Sequence, residues 1–148
     1  MTLRGVEWGA GPLIILLHGW EGRGSQLAAF AEPLTKAGFR VAAFDAPGHG
    51  RSSGRQSSLP HFAWALRGVA DALGEVHGVI GHSLGCAAAT LAMSDGLAIP
   101  RAVFLSPPLN PEDYTRQFGE MFGLSDDVID GPRARIEERF VRVANVVS

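Results

Sequence analysis

The chain has 148 residues, 46% hydrophobic and 19% charged. That is the make-up of one globular domain with a sizeable core, and it excludes a wholly disordered chain. Lys and Arg number 13 against 15 Asp and Glu, a net charge of −2, so the chain carries no basic footprint for nucleic acid. A single cysteine, Cys86, excludes an intramolecular disulfide and suits a reducing compartment. No apolar signal region follows Met1-Thr2-Leu3-Arg4. The longest obvious apolar run, Leu13 to Leu17, is far short of the roughly 20 residues that a membrane span needs. The expectation is a soluble, cytoplasmic protein without nucleic-acid or membrane partners.

Leu13-Ile14-Ile15-Leu16-Leu17 lies between Gly11-Pro12 and His18-Gly19, the length and punctuation of a strand buried on both faces. Ser25 to Ala37 has helical spacing through Leu27, Phe30, Ala31 and Leu34, and Gly38 closes it. A second buried strand runs from Phe39 to Phe44 and ends at Asp45. The stretch from Asp45 to Gly54, Asp-Ala-Pro-Gly-His-Gly-Arg-Ser-Ser-Gly, is a loop by composition. His61 to Leu73 predicts a helix with Phe62, Leu66, Val69 and Leu73 on one stripe. A third strand follows from Val76 to Gly81, then a small-residue helix from Ser83 to Met93, then a fourth strand from Ala102 to Leu105, ended by Ser106-Pro107-Pro108.

Strand and helix alternate, which predicts an α/β fold: a three-layer α/β/α sandwich around a mostly parallel sheet. Beyond Pro108 the pattern changes. Residues 111–122 and 133–143 look helical with no strand between them. The expected division is therefore a core over 1–108 and further helices over 109–148. The charges among Arg133, Arg135, Glu137, Glu138, Arg139 and Arg142 suit a solvated helix face.

Nineteen glycines are nearly twice the usual share of about 7%, and they gather after apolar runs and before alanine-rich stretches. The sharpest case is Gly81-His82-Ser83-Leu84-Gly85, a G-x-S-x-G pentapeptide between the run ending at Ile80 and an Ala-rich helix. A serine on so tight a strand-to-helix turn holds a strained backbone, and bulky neighbours would clash. The helix N-terminus aims amide donors and a positive dipole end at Ser83. Outside that context such a pentapeptide is only a tight turn with an N-cap serine. In a parallel sheet the turn His18-Gly19-Trp20 falls at the same carboxyl edge, where its amides can serve an oxyanion.

Three segments together, Pro12-Leu-Ile-Ile-Leu-Leu-His-Gly-Trp20, Asp45-Ala-Pro-Gly-His-Gly-Arg-Ser52 and Gly81-His-Ser-Leu-Gly85, resemble the α/β-hydrolase superfamily in order and spacing. The likeness covers about residues 11 to 108. The stretch from 109 onward resembles the start of the family's helical cap much less specifically. The resemblance implies Ser83 as nucleophile and the backbone amides of Trp20 and Leu84 as oxyanion hole. It also implies hydrolysis of an ester or related small acyl substrate through an acyl-enzyme.

The chain departs from that pattern in one respect. The family's triad runs Ser, then Asp or Glu, then His, but the five histidines here, His18, His49, His61, His77 and His82, all precede Ser83. Each has a structural reading: a strand-end residue, a loop residue, a helix start, a strand or loop position, and packing or a hydrogen bond beneath the serine turn. Glu112 and Asp113 follow the fourth strand, where some relatives place their acid, but without a histidine they have nothing to orient. The expectation is an incomplete α/β-hydrolase fold, truncated before its acid and histidine. Such a chain would retain only the rate that an oxyanion hole and binding supply, roughly 10³–10⁴-fold over water. The competing reading is a non-catalytic, hydrolase-like binding module. The fourth strand would be an open edge inviting a homodimer.

No other chemistry is indicated. Gly48, Gly50 and Gly54 fit neither a phosphate loop nor a dinucleotide fingerprint. The scattered histidines and solitary Cys86 do not make a metal site. No cofactor is expected. Cys86 reads as a small core residue, and Trp8, Trp20 and Trp64 as core or pocket lining.

Overall fold

A computed structural model describes residues 1–108. They form a five-stranded sheet in the order β1-β3-β2-β4-β5, where β1 is Arg4–Trp8, β2 Leu13–Leu17, β3 Arg40–Asp45, β4 Val76–His82 and β5 Ala102–Leu105. β2, β3, β4 and β5 run parallel, and β1 is antiparallel to β3. The helices expected over 111–122 and 133–143 lie outside the described residues.

The all-apolar sequence of β2 follows from its position. It is the central strand and every residue in it is buried. Leu13, Ile15 and Leu17 point to one face, where they join Phe62, Ala63, Leu66, Ala88, Ala89 and Ala92. Ile14 and Leu16 point to the other, with Leu27, Ala31, Val41, Ala43 and Ile80. The first face is covered by α1, Leu59–Leu73, and α2, Leu84–Ser94. The second is covered by a 3₁₀ segment, Gly24–Phe30, continuing into the short helix Ala31–Lys36. This is the three-layer arrangement that the strand–helix alternation predicts. Among the described residues no helix is long and apolar enough to cross a membrane.

Two elements differ from the sequence expectation. The helix expected over Ser25–Ala37 begins as a 3₁₀ segment. The Gly24 amide donates to Asp45 Oδ1 at 2.8 Å, and a Cβ on Gly24 would stand 3.0 Å from the Phe44 nitrogen. The segment therefore starts hard against β3, where a short run winds more tightly. The second difference is β1, which carries no apolar run to announce it and is mostly exposed. It is fixed by pairing and polar ties: Arg40 Nε donates to Glu7 Oε2 at 2.7 Å, the Arg4 amide to Ser52 Oγ at 2.8 Å, and the Thr2 amide to Ser53 Oγ at 2.8 Å.

At the N-terminus of α1, Ser58 is the cap residue, and its hydroxyl lies 2.6 Å from His61 Nδ1. That pair gives His61 its helix-start role. Trp64 is half exposed, and Val103 and Phe104 on β5 are 53% and 36% exposed. Among the described residues β5 is the last strand of the sheet on its side.

Asp45, at the end of β3, braces two segments. Its Oδ1 accepts from Gly24, its Oδ2 from the Arg51 amide at 2.8 Å, and its backbone carbonyl from Ser52 Oγ at 2.6 Å. Hydrogen bonds to a charged group contribute about 1.5–3 kcal/mol each. Asp45→Ala should therefore lower unfolding free energy by about 3 kcal/mol in urea titration, whereas a change below about 0.5 kcal/mol would show the bracing to be idle.

Candidate active site

β2 and β4 are neighbours, with Leu17 opposite Gly81 at their carboxyl ends. From there the chain departs in opposite directions. After β2 it crosses to the 3₁₀ face, and after β4 it enters α2 on the other face. A crevice opens outside the strand ends where successive connections diverge in this way, and ligands of open α/β sheets bind in such crevices. Ser83 stands on one lip and Gly19-Trp20 on the other.

Ser83 has φ 50° and ψ −120°, a left-handed conformation that costs a non-glycine residue of order 1–3 kcal/mol. Its surroundings hold it there. The Ser83 amide donates to the Leu105 carbonyl at 3.0 Å, and its own carbonyl accepts from the Cys86 amide at 2.9 Å. A Cβ on Gly81 would lie 3.0 Å from the Cys86 nitrogen. One on Gly85 would overlap the Leu17 carbonyl oxygen and come 2.7 Å from that of His18. Gly85 is what lets α2 seat directly on the end of β2. Across the crevice, a Cβ on Gly19 would stand 3.0 Å from the Ser83 Cβ. The two motifs, far apart in sequence, therefore meet at the serine.

The facing turn is closed by a hydrogen bond from the Gly22 amide to the Gly19 carbonyl at 3.1 Å. Glu21 within it has φ 54°. Among the described residues the amides of Trp20 and Leu84 have no hydrogen-bond partner, and neither does Ser83 Oγ.

The histidines are placed as follows. His18, 1% exposed, accepts the Ala46 amide at Nε2 (2.9 Å) and donates from Nδ1 to the Gly19 carbonyl (2.7 Å). His49, 9% exposed, accepts the Glu21 amide at Nε2 (3.1 Å) and donates from Nδ1 to the Pro47 carbonyl (3.0 Å). Both rings pack edge-on to Phe62, with centroids at 5.4 and 5.1 Å. His61 lies in the first turn of α1 beside the Ser58 hydroxyl, and His77 lies against Phe39 with centroids 5.4 Å apart. His82 corrects the expectation of a residue packed beneath the turn. It is exposed, on the last position of β4, with Nδ1 beside Gly19. As the last residue of β4 it lies past the layers that bury Val79, Ile80 and Gly81. None of the five hydrogen-bonds to Ser83 Oγ.

Cys86 is buried, its thiol 3.5 Å from the Leu105 carbonyl, and burial pushes its pKa up. It stays a thiol and packs as a small apolar residue. Among the described residues no group of three His, Cys, Asp or Glu is gathered as for a metal ion. A cleft of about 380 Å³ adjoins the turn, lined by residues including Trp20, Glu21, His49, Arg55 and Ser57. Trp20, expected as core or pocket lining, lines this cleft, whereas nothing in the sequence pattern points to Glu21 or to the use His49 makes of it.

The model of the alpha/beta hydrolase family matches residues 14–145, and the chain belongs to that family. A non-heme haloperoxidase of Rhodococcus erythropolis is 32% identical over 145 residues, 88% of this chain and 48% of its own length. A pimeloyl-(acyl-carrier protein) methyl ester esterase of Aeromonas salmonicida is 33% identical over 85 residues, 57% of this chain and 33% of its own. Among solved structures, a monoacylglycerol lipase of Paleococcus ferrophilus is similar at 28% identity and a TM-score of 0.65, over 80% of this chain and 51% of that one. The chain spans about half the length, or less, of the curated relatives it matches.

Burial holds the His18 pKa below its ordinary value of 6.5. The neighbouring His49 and His82 push the same way, against the Gly19 carbonyl and Asp45. The unfolded chain therefore takes up a proton first as pH falls. The stability that neutral His18 contributes is complete above about pH 6.5 and is lost progressively below it. Urea midpoints should drop between pH 7.5 and 5.5, with a shallower slope in His18→Gln. Equal slopes in the two proteins would contradict this origin.

Proposed function

We propose that this chain carries the nucleophile half of a serine hydrolase acting on an ester or related small acyl substrate. Ser83 Oγ attacks the acyl carbon, and the amides of Trp20 and Leu84 receive the negative charge that develops on the carbonyl oxygen. The alcohol or other leaving group departs with a proton, leaving an ester on Ser83. Water then attacks that ester and releases the acid. The observation that carries the reading is the left-handed Ser83 at the head of α2, placed against Gly19 across the crevice, with the Trp20 and Leu84 amides there having no partner among the described residues. Family membership and the esterase and lipase among the similar proteins support the substrate class.

None of the described histidines hydrogen-bonds to Ser83 Oγ, which is the support for a base outside them. His18 and His49 have both ring nitrogens committed, and no histidine follows Ser83 in the sequence. That observation also favours a second reading, a non-catalytic module that keeps the hydrolase fold. The two are separated by reacting the protein with a fluorophosphonate and locating the adduct by mass spectrometry, with and without added imidazole. The first reading predicts slow phosphonylation at Ser83, accelerated by imidazole and abolished in Ser83→Ala. No adduct at Ser83 under either condition would favour the module.

The side of β5 away from β4 is proposed as a self-association surface, on the strength of exposed Val103 and Phe104 on the last of the described strands. Light scattering should show a dimer that Val103→Lys reduces to monomer. A monomer at all concentrations in the parent would refute it.

A further inference from the structure

The turn that faces Ser83 is not self-supporting. Glu21 holds φ 54° without being glycine, and the Gly22-to-Gly19 hydrogen bond closes the turn but leaves the Glu21 amide outside it. That amide is held by a side chain from another segment, His49 of the loop after β3. The His49 ring is itself fixed. Nδ1 donates to the Pro47 carbonyl at 3.0 Å, which leaves Nε2 bare as an acceptor. Its faces and edges meet Trp20 at 5.1 Å, His18 at 5.4 Å and Phe62 at 5.1 Å between centroids. Trp20 and Glu21 are adjacent, so the peptide that His49 grips is the one joining them.

We propose that His49 is a positioning residue for the anion-stabilising turn. Its Nε2 holds the Trp20–Glu21 peptide in place, so that the Trp20 amide stays available to the oxyanion formed at Ser83. The inference rests on the roles given above to Ser83 and the Trp20 amide. A proton on Nε2 would replace the acceptor with a second donor and release the turn. The charged and titratable groups around the ring are His18 and Glu21 from the β2 side, and Arg55, which lines the same cleft. From α1 the ring meets the uncharged Phe62.

Two substitutions separate positioning from packing. His49→Phe keeps a ring against Trp20 and Phe62 but removes the acceptor. His49→Gln supplies a neutral acceptor near the same place. Phosphonylation of Ser83 is followed against fluorophosphonate concentration, with imidazole present, alongside melting and amide hydrogen exchange by NMR. The expected result in His49→Phe is a maximal rate about a hundredfold lower. Its half-saturating concentration should be unchanged, its melting temperature should fall modestly as the Glu21 amide and the Pro47 carbonyl lose their partner, and the Glu21 amide should lose its protection. His49→Gln should recover both rate and protection. A parent-like rate in His49→Phe, or a Glu21 amide that stays protected there, overturns the proposal.

If the parent protein forms no adduct at all, the reading of Ser83 fails, and the Glu21 amide alone decides the role of His49. If His49→Phe does not fold, the parent is titrated by NMR instead. Protection of Glu21 lost in step with His49 protonation supports the proposal, and protection that persists through that titration overturns it.

Discussion

Everything at the carboxyl edge of this sheet depends on two adjacent strands, β2 and β4, whose chains leave for opposite faces. The divergence opens the crevice, and two glycines make it usable. Gly85 allows α2 to start directly over the last carbonyls of β2, which fixes the helix N-terminus beside Ser83. Gly19 allows the opposing turn to approach the Ser83 Cβ as closely as backbone can. Larger residues at either place would push the lips apart, and the serine would face solvent rather than a wall of amides.

His18 and His49 are buried here, and their partners explain why they are tolerated. A buried amide or imidazole without a partner costs on the order of 1–3 kcal/mol. His18 and His49 each satisfy one backbone amide and one carbonyl, so two rings serve four backbone groups that lie outside any strand or helix. The Asp45 carboxylate accepts from two amides, those of Gly24 and Arg51. The loops after β2 and β3 are thereby cross-braced, and the strain at Ser83 and Glu21 is borne by a rigid surround.

The central strands were legible because burial on both faces demands a continuous apolar run. β2 and β5 have the bounds their sequences predict, and β3 and β4 differ by a residue at an end. β1 was not legible. Its stability comes from edge pairing and from hydroxyls of Ser52 and Ser53, contacts between residues about fifty positions apart that no local pattern encodes. At the site, Ser83 and the glycines around it stand out because the strained turn restricts which residues fit. The approach of Gly19 to Ser83 follows from sheet order, which composition does not reveal. The hold of His49 on Glu21 was hidden for a similar reason: a histidine between glycines reads as loop, and its partner is fixed only when β2 and β3 lie side by side.

The central claim is that a carbonyl-like oxygen bound to Ser83 is received by the amides of Trp20 and Leu84. A crystal structure of the phosphonylated protein tests it most directly. The account predicts phosphorus bonded to Ser83 Oγ, with the phosphoryl oxygen about 2.7–3.1 Å from both amide nitrogens. An adduct whose oxygen points to solvent, with neither amide within reach, would contradict it.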